Sequence, residues 1–402
     1  MKQIITFYLA LVCLSASAQN EVKQWRGNDR TGVYLEKGLL KSWNEEPKLL
    51  WHFDQLGEGY SSPVIADDKV YITGMVDNDG KIFVLDLNGK LLKETSYGEE
   101  WNKNYNGSRG TLTIDNGKIY AYSGKGNLVC FDQKSLQVLW KKNIIDDFGG
   151  ENVVWGVNES PLIVGDKVII SAGGKENNIL ALNKNNGEKI WAFAGEGEKS
   201  AYCSPLYIGD VDVPQIVTIM AGHAYGIAAS SGEKLWSVPF VNTYNIHPNT
   251  PIYDNGTLLL VSGYKKGSLM LRLKDGGKAV ETVWENELMD SQIGSVVKMG
   301  NYVYGAGHRS DRKWSCIDWN TGEKKYEDST VGECNVIAAD GMLYIYNQKG
   351  QVILAKPNPE QLEKTGEFTI TMGTAQHWAH PVICNGVLYV RHGDTLMAYA
   401  VK

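Results

Sequence analysis

Apolar and polar residues alternate in short runs along nearly the whole chain, and each alternating run is cut by a turn-forming pair. The segments "ADDKVYIT", "DNGKIYAY", "VGDKVIIS", "DNGTLLLV", "MGNYVYGA", "ADGMLYIY" and "CNGVLYVR" each read as a tight turn followed by a strand. Asn-Gly and Asp-Gly tolerate positive φ at both central positions, which a hairpin turn matched to strand twist requires. Another apolar run precedes each turn, often opened by proline, as in "SSPVIA", "ESPLIVG", "NTPIYD" and "AHPVIC". The fourth, "CSPLYIG", passes through a longer turn into "DVDVPQIVTI". A third strand follows each time ("KIFVLDL", "NILALNK", "TLMAYAV"), and a fourth comes after a Gly-containing turn ("NNGEKIWAF", "SSGEKLWSV").

The repeats give eight first strands and eight third strands but only seven fourth strands. The N-terminal run "PKLLWHFD" carries the fourth-strand pattern and has no unit of its own. Paired beside the C-terminal three strands, it closes a ring and covers the sheet edges left open. The chain is therefore expected to be all-β, an eight-bladed β-propeller of four-stranded antiparallel blades, forming a single domain over 19–402. An open β solenoid would also repeat, but it needs no strand from the far terminus. Seven blades would follow if the fourth or seventh repeat were misread.

Composition agrees with turn-rich β structure: 44 Gly, 21 Tyr and 12 Trp among 402 residues. A net charge of -6, with no Lys/Arg block longer than two, excludes the concentrated basic surface that nucleic acid requires. The opening "MKQIITFYLALVCLSASAQN" has an apolar stretch too short to span a bilayer and small residues at Ala16 and Ala18. It reads as a signal peptide over 1–18, implying an exported protein, periplasmic or extracellular, with no transmembrane segment. Five cysteines then remain, none in a C-x-x-C spacing. Cys130, Cys316 and Cys384 sit in strand-like runs and are expected as buried thiols, although export would permit disulfides.

The turn-and-strand units "ALNKNNGEKIW", "IAASSGEKLW" and "CIDWNTGEKKY" resemble the pyrroloquinoline-quinone-type propeller repeat, over essentially all the mature chain. The resemblance implies that Trp51, Trp140, Trp191, Trp236 and Trp284, with Tyr326 substituting, dock each outer strand against the next blade. A large flat ring fills the widening gap between blades while its polar edge finds a carbonyl. In quinoprotein dehydrogenases of this family the quinone lies over the central channel on a Trp floor, beside Ca²⁺, a base Asp, an Arg and commonly a disulfide between adjacent cysteines. Here Trp155 would be that floor, and Asn158 or Glu159 would approach the cation, but no adjacent cysteines and no base Asp are found. Propeller lipoproteins that assist outer-membrane protein assembly are a second set of relatives, acting as scaffolds; this chain departs from them in lacking a lipid-attachment cysteine.

Loops leading into the innermost strands crowd around one mouth of a propeller's channel. Those positions are Tyr60, Arg109, Glu159, Tyr202, His247, Gln292, Glu333, His377, Trp378 and His380, with Trp155 beside them. Convergent polar and aromatic groups over a concave mouth point to a ligand site. His377 and His380, with His247 or Glu159, are candidate metal ligands; the competing reading is histidines bonded to loop carbonyls. His308 and His392 are expected to face solvent on hairpins. Arg109 offers either an anion-seeking fork or a surface ion pair. Trp25 and Arg26 are expected to clamp "QWRGNDRTGVY" along the ring. The reading that follows is a non-catalytic exported module binding a small molecule, a saccharide or an envelope protein partner. A quinone-dependent dehydrogenase using Ca²⁺, and an outer-membrane assembly scaffold, are the alternatives.

Overall fold

Each hairpin signal in the sequence becomes a strand pair, and the strands group into eight sheets, seven of four strands and one of five. The computed structural model describes residues 20–293, 296–308 and 312–402; the leader expected over 1–18 lies outside them. Blades 1 to 7 occupy 64–99, 113–143, 162–193, 206–239, 252–286, 296–328 and 334–369. Blade 8 joins Val382–Cys384, Val387–His392 and Thr395–Ala400 to the N-terminal strand Leu49–Phe53. Leu49 faces Tyr399 and Phe53 faces Leu396 in an antiparallel pair, so the ring closes as the pattern requires.

The outermost strand of every blade carries a β-bulge, one residue before the docking position. The extra residues are Leu50, Leu92, Leu139, Ile190, Leu235, Val283, Lys325 and Thr365. A bulge adds local twist and re-aims the next side chain, here toward the neighbouring blade, while it spoils the edge for pairing with another chain. The tryptophans then behave as expected. Trp51, Trp140, Trp191 and Trp284 donate from Nε1 to the carbonyls of Leu87, Lys184, Ala229 and Trp319 at 2.8–3.2 Å. Trp236 instead donates to Gln215 Oε1 at 2.7 Å, and Gln215 donates on to the Gly277 carbonyl of blade 5.

Three blades solve the joint differently. Lys93 replaces the aromatic in blade 1 and donates from Nζ to the Lys134 carbonyl at 2.7 Å. Tyr326, in blade 6, accepts a hydrogen bond from Trp314 of its own sheet at 2.9 Å. Blade 7 has Gly366 at the position, and Trp43 from the N-terminal segment lies against it, packing on Tyr344 and Phe368.

The segment 20–34 departs from expectation. It does not run along the ring but enters the central channel. Val22 exchanges backbone bonds with Ile65 (2.9 and 2.7 Å), and the Lys23 carbonyl accepts from Ile114, at the far ends of inner strands 1 and 2. The chain then climbs toward the mouth and returns as Val33–Tyr34, pairing parallel with Ala338 and Ala339 as the fifth strand of blade 7. Arg30 spans the turn-back, donating to the carbonyls of Ser160, Pro161 and Pro205 at 2.5–3.2 Å. Arg26 donates to those of Thr31 and Val296. Both guanidinium groups are buried, which lowers them to about 9 and about 10. Carbonyls at the starts of inner strands have no sheet partner on the channel side, so an arginine fork that satisfies several at once locks the segment in place.

Candidate functional site

Because every blade connects its outer strand to the next inner strand, those connections all return to one rim. They enclose a cavity of about 570 Å³ above the channel segment. Trp25, carried by that segment, closes its base: Nε1 donates to Thr250 Oγ1 at 3.1 Å, and the ring lies 4.4 Å from His380. Aromatic rings form the walls. Trp378 packs against Tyr60 and Tyr105 at 5.2 and 5.0 Å, and across the axis Tyr244 meets Tyr264 at 4.7 Å. Trp155 and Tyr202 stand between these clusters, 6.0 Å apart. Three of these tyrosines hold left-handed backbone: Tyr105 at φ 44°, Tyr202 at 72° and Tyr264 at 59°. A bulky side chain at positive φ is a strained arrangement that the surrounding structure has to impose.

Of the eleven positions nominated from sequence, Tyr60, Arg109, Trp155, Tyr202, Gln292, Glu333, Trp378 and His380 line this cavity. Glu159, His247 and His377 do not. Glu159 is buried behind the wall, its Oε1 accepting from Ser171 N at 2.6 Å, and burial pushes it up to about 8 against the opposing pull of Arg30. His247 is fully buried with Nδ1 2.7 Å from Ser262 Oγ, and burial lowers it to about 4. His377 Nδ1 lies 2.5 Å from Tyr346 OH and the ring stacks on His392 at 3.7 Å; burial first, then His392, lowers it to about 4. His380 has both ring nitrogens engaged, Nε2 donating to Ile293 O at 3.0 Å and Nδ1 facing Arg26 at 3.4 Å. Burial and that cation lower it to about 3, so it is neutral.

The three histidines named as metal candidates thus occupy three separate environments. Among the described residues no group of three or more His, Cys, Asp or Glu side chains is placed to hold a metal. The hairpin histidines are also not where sequence put them. His392 is only 8% exposed, with its ring nitrogens 2.8 and 2.9 Å from the carbonyls of Met372 and Ala375. His308, likewise 8% exposed, lies in the cavity wall with Nδ1 on the Glu333 carboxylate and its ring edge-on to Tyr264. Arg109 takes neither of its two expected roles alone. Its guanidinium donates to the carbonyls of Asn104 and Tyr105 and lies 5.9 Å from the Tyr60 ring centre.

Sequence reasoning missed Tyr105, Tyr244 and Tyr264 and placed Trp25 and His308 elsewhere. They sit on loops and hairpin turns, where no periodicity announces direction. Three lining side chains have buried polar atoms without a partner among the described residues: Arg109 Nε, Asn158 Oδ1 and Trp378 Nε1. The residues nominated for a quinone and its Ca²⁺ do not fit that pair. Trp155 and Asn158 both line the cavity, but Asn158 is a neutral amide, and Glu159 is turned away with its carboxyl raised to about 8 by burial. Glu333, the carboxylate of the lining, is engaged by His308, so no free carboxylate of the described lining is left for the cation. The five cysteines of the described chain are free and buried, none beside another.

Eight blades of four antiparallel strands, one of them extended by a fifth, five joined by a tryptophan ring, with a cup at the channel mouth, define a β-propeller of the pyrroloquinoline-quinone type. The chain belongs to the family described as outer membrane protein assembly factor BamB, whose profile matches residues 28–193 and 155–359. It is 25% identical over 215 residues to outer membrane protein assembly factor BamB of Shewanella oneidensis, covering 50% of this chain and 49% of that protein. It is 28% identical over 160 residues to the quinoprotein ethanol dehydrogenase of Pseudomonas aeruginosa, covering 36% and 25%. The chain thus spans about half of the first relative's length and a quarter of the second's. The crystal structure of BamB from Moraxella catarrhalis matches with a TM-score of 0.64 at 14% identity, over 88% of this chain and 99% of that one, a likeness of fold alone. No helix among the described residues is long and apolar enough to cross a membrane.

Proposed function

We propose that this protein binds a small molecule in the cup at its channel mouth and performs no chemistry on it. The observation that carries this reading is the set of tyrosines Tyr105, Tyr202 and Tyr264, held at positive φ around one cavity. Strain of this kind persists where a fixed side-chain position is worth its cost. The histidines of the lining are held by the protein's own groups, His380 by Ile293 O and His308 by the Glu333 carboxylate, which favours binding over chemistry. Mass spectrometry of the native protein is the test, with Trp378→Ala as the comparison. A bound mass that the substitution removes supports the reading. Turnover of alcohols or sugars with pyrroloquinoline quinone, Ca²⁺ and a dye acceptor would replace it with the dehydrogenase reading.

A second reading, a scaffold for envelope assembly, draws on the family match and on the rim of the ring. Leu50, Leu92, Leu139 and Ile190 are exposed apolar bulge residues on four consecutive blades, 8, 1, 2 and 3, an apolar arc over half the circumference. Envelope location belongs to the same reading. Leu139→Lys with Ile190→Lys should abolish capture of a reproducible envelope partner. A partner retained by that double variant would remove the arc from consideration.

A further inference from the structure

We infer that the cup takes neutral pyranose units of a short oligosaccharide, an inference that rests on the ligand-binding reading above. The rings of its walls are not parallel. Tyr60 and Trp378 are inclined at 42°, Tyr105 and Trp378 at 52°, and Tyr244 and Tyr264 at 61°. Such a bowl offers no slot for a flat conjugated ligand. It matches a puckered ring, whose axial C–H bonds present slightly positive hydrogens to the negative faces of aromatic rings.

The polar groups point to the same class. Hydroxyl and amide side chains share the lining with the rings: Asn158, Ser160, Ser204, Gln292 and Gln348, beside Arg109. A hydroxyl group both donates and accepts, so a polyol can pair with amide, hydroxyl and guanidinium groups alike. Charge argues against the other ligands that aromatic cups take. A quaternary ammonium needs an open ring face, yet the Arg109 guanidinium lies over Tyr60 and is itself cationic. A phosphate needs several converging cations, whereas the lining has a single Arg or Lys, Arg109, and also holds the Glu333 carboxylate. The volume, about 570 Å³, exceeds what one hexose fills and lies in the range of small-molecule pockets.

The experiment titrates neutral malto-, cello-, manno- and xylo-oligosaccharides against the full chain, read by tryptophan fluorescence and calorimetry. At least one series should bind with dissociation constants between micromolar and millimolar. Trp378→Ala and Asn158→Ala should each weaken it roughly tenfold with little change in melting temperature. Binding of uronic-acid oligosaccharides alone, lost in Arg109→Gln, overturns the neutral class. If no saccharide binds but native mass spectrometry shows another mass that Trp378→Ala removes, the saccharide inference falls and the ligand cup stands. If neither saccharide nor any other bound mass is found, both fall.

Discussion

At the scale of single residues, burial sets the charge states. His247, His377 and His380 are neutral in the fold, lowered to between about 3 and about 4 from an ordinary value of 6.5. Below pH 6.5 the unfolded chain takes up protons that the native state refuses. The stabilisation is therefore complete above that value and is lost as pH falls toward 4. Glu159 has the opposite sign. Raised from 4.5 to about 8, it keeps a proton that the unfolded chain releases, so its contribution is complete below 4.5 and is lost as pH rises through 8. In Glu159→Gln the melting temperature relative to the parent should increase steadily from about pH 5 to about pH 9; a constant difference would mean the carboxyl is ionised throughout. Arg30 is a separate case, since its fork satisfies three carbonyls from two blades. Arg30→Ala should lose about 3 kcal/mol or more in urea unfolding, and Arg30→Lys should recover only part of it, because an ammonium cannot span that geometry.

Among elements, the blade joint is the unit that matters. A Cβ added at Gly187, which holds φ +74°, would lie 2.8 Å from the Trp140 ring; at Gly89, φ +81°, it would lie 2.5 Å from Trp51. Gly187→Ala should therefore cost about 1–3 kcal/mol from backbone strain and overpacking together, measured by denaturant unfolding. The exception fits the same cause: the turn of blade 2 has Leu136 at φ 60°, and the group that reaches it is Lys93 rather than a flat ring. Trp43→Ala should cost about 3–5 kcal/mol despite lying outside any repeat, because it fills the joint that Gly366 leaves open.

The turns, the strand alternation and the docking tryptophans were legible in the sequence, because each is written in neighbouring residues: Asn-Gly for positive φ, period two for a sheet face, a ring after a turn. The bulges were not, since one added residue such as Ile190 becomes visible only against its partner strand. Nor was Trp43. The cup was half legible. Loop positions just before inner strands could be counted from the repeat, which recovered Tyr60, Trp378 and Tyr202, but side-chain direction on an irregular loop depends on contacts made elsewhere. Glu159 shows the limit: Ser160, one residue on, lines the cavity, while Glu159 turns into the protein.

At the scale of the whole molecule, residues 20–53 serve two separate parts of the ring. Segment 20–34 bonds to inner strands or loops of all eight blades, from Ile65 in blade 1 to His380 beside blade 8. Leu49–Phe53 completes blade 8. Ending the chain after Asp394 should leave Leu49–Phe53 without a partner and unfold the protein far more severely than a cut of equal length inside a surface loop, as judged by circular dichroism and protease resistance.

A ribosome makes these residues long before their partners. At 5–20 residues per second, roughly 20 to 70 seconds pass between the appearance of Phe53 and that of Thr395. For that interval the stretch that will become the hub and the clasp has nowhere native to go, and Leu49–Phe53 stays a strand without its partner until Thr395–Ala400 arrives.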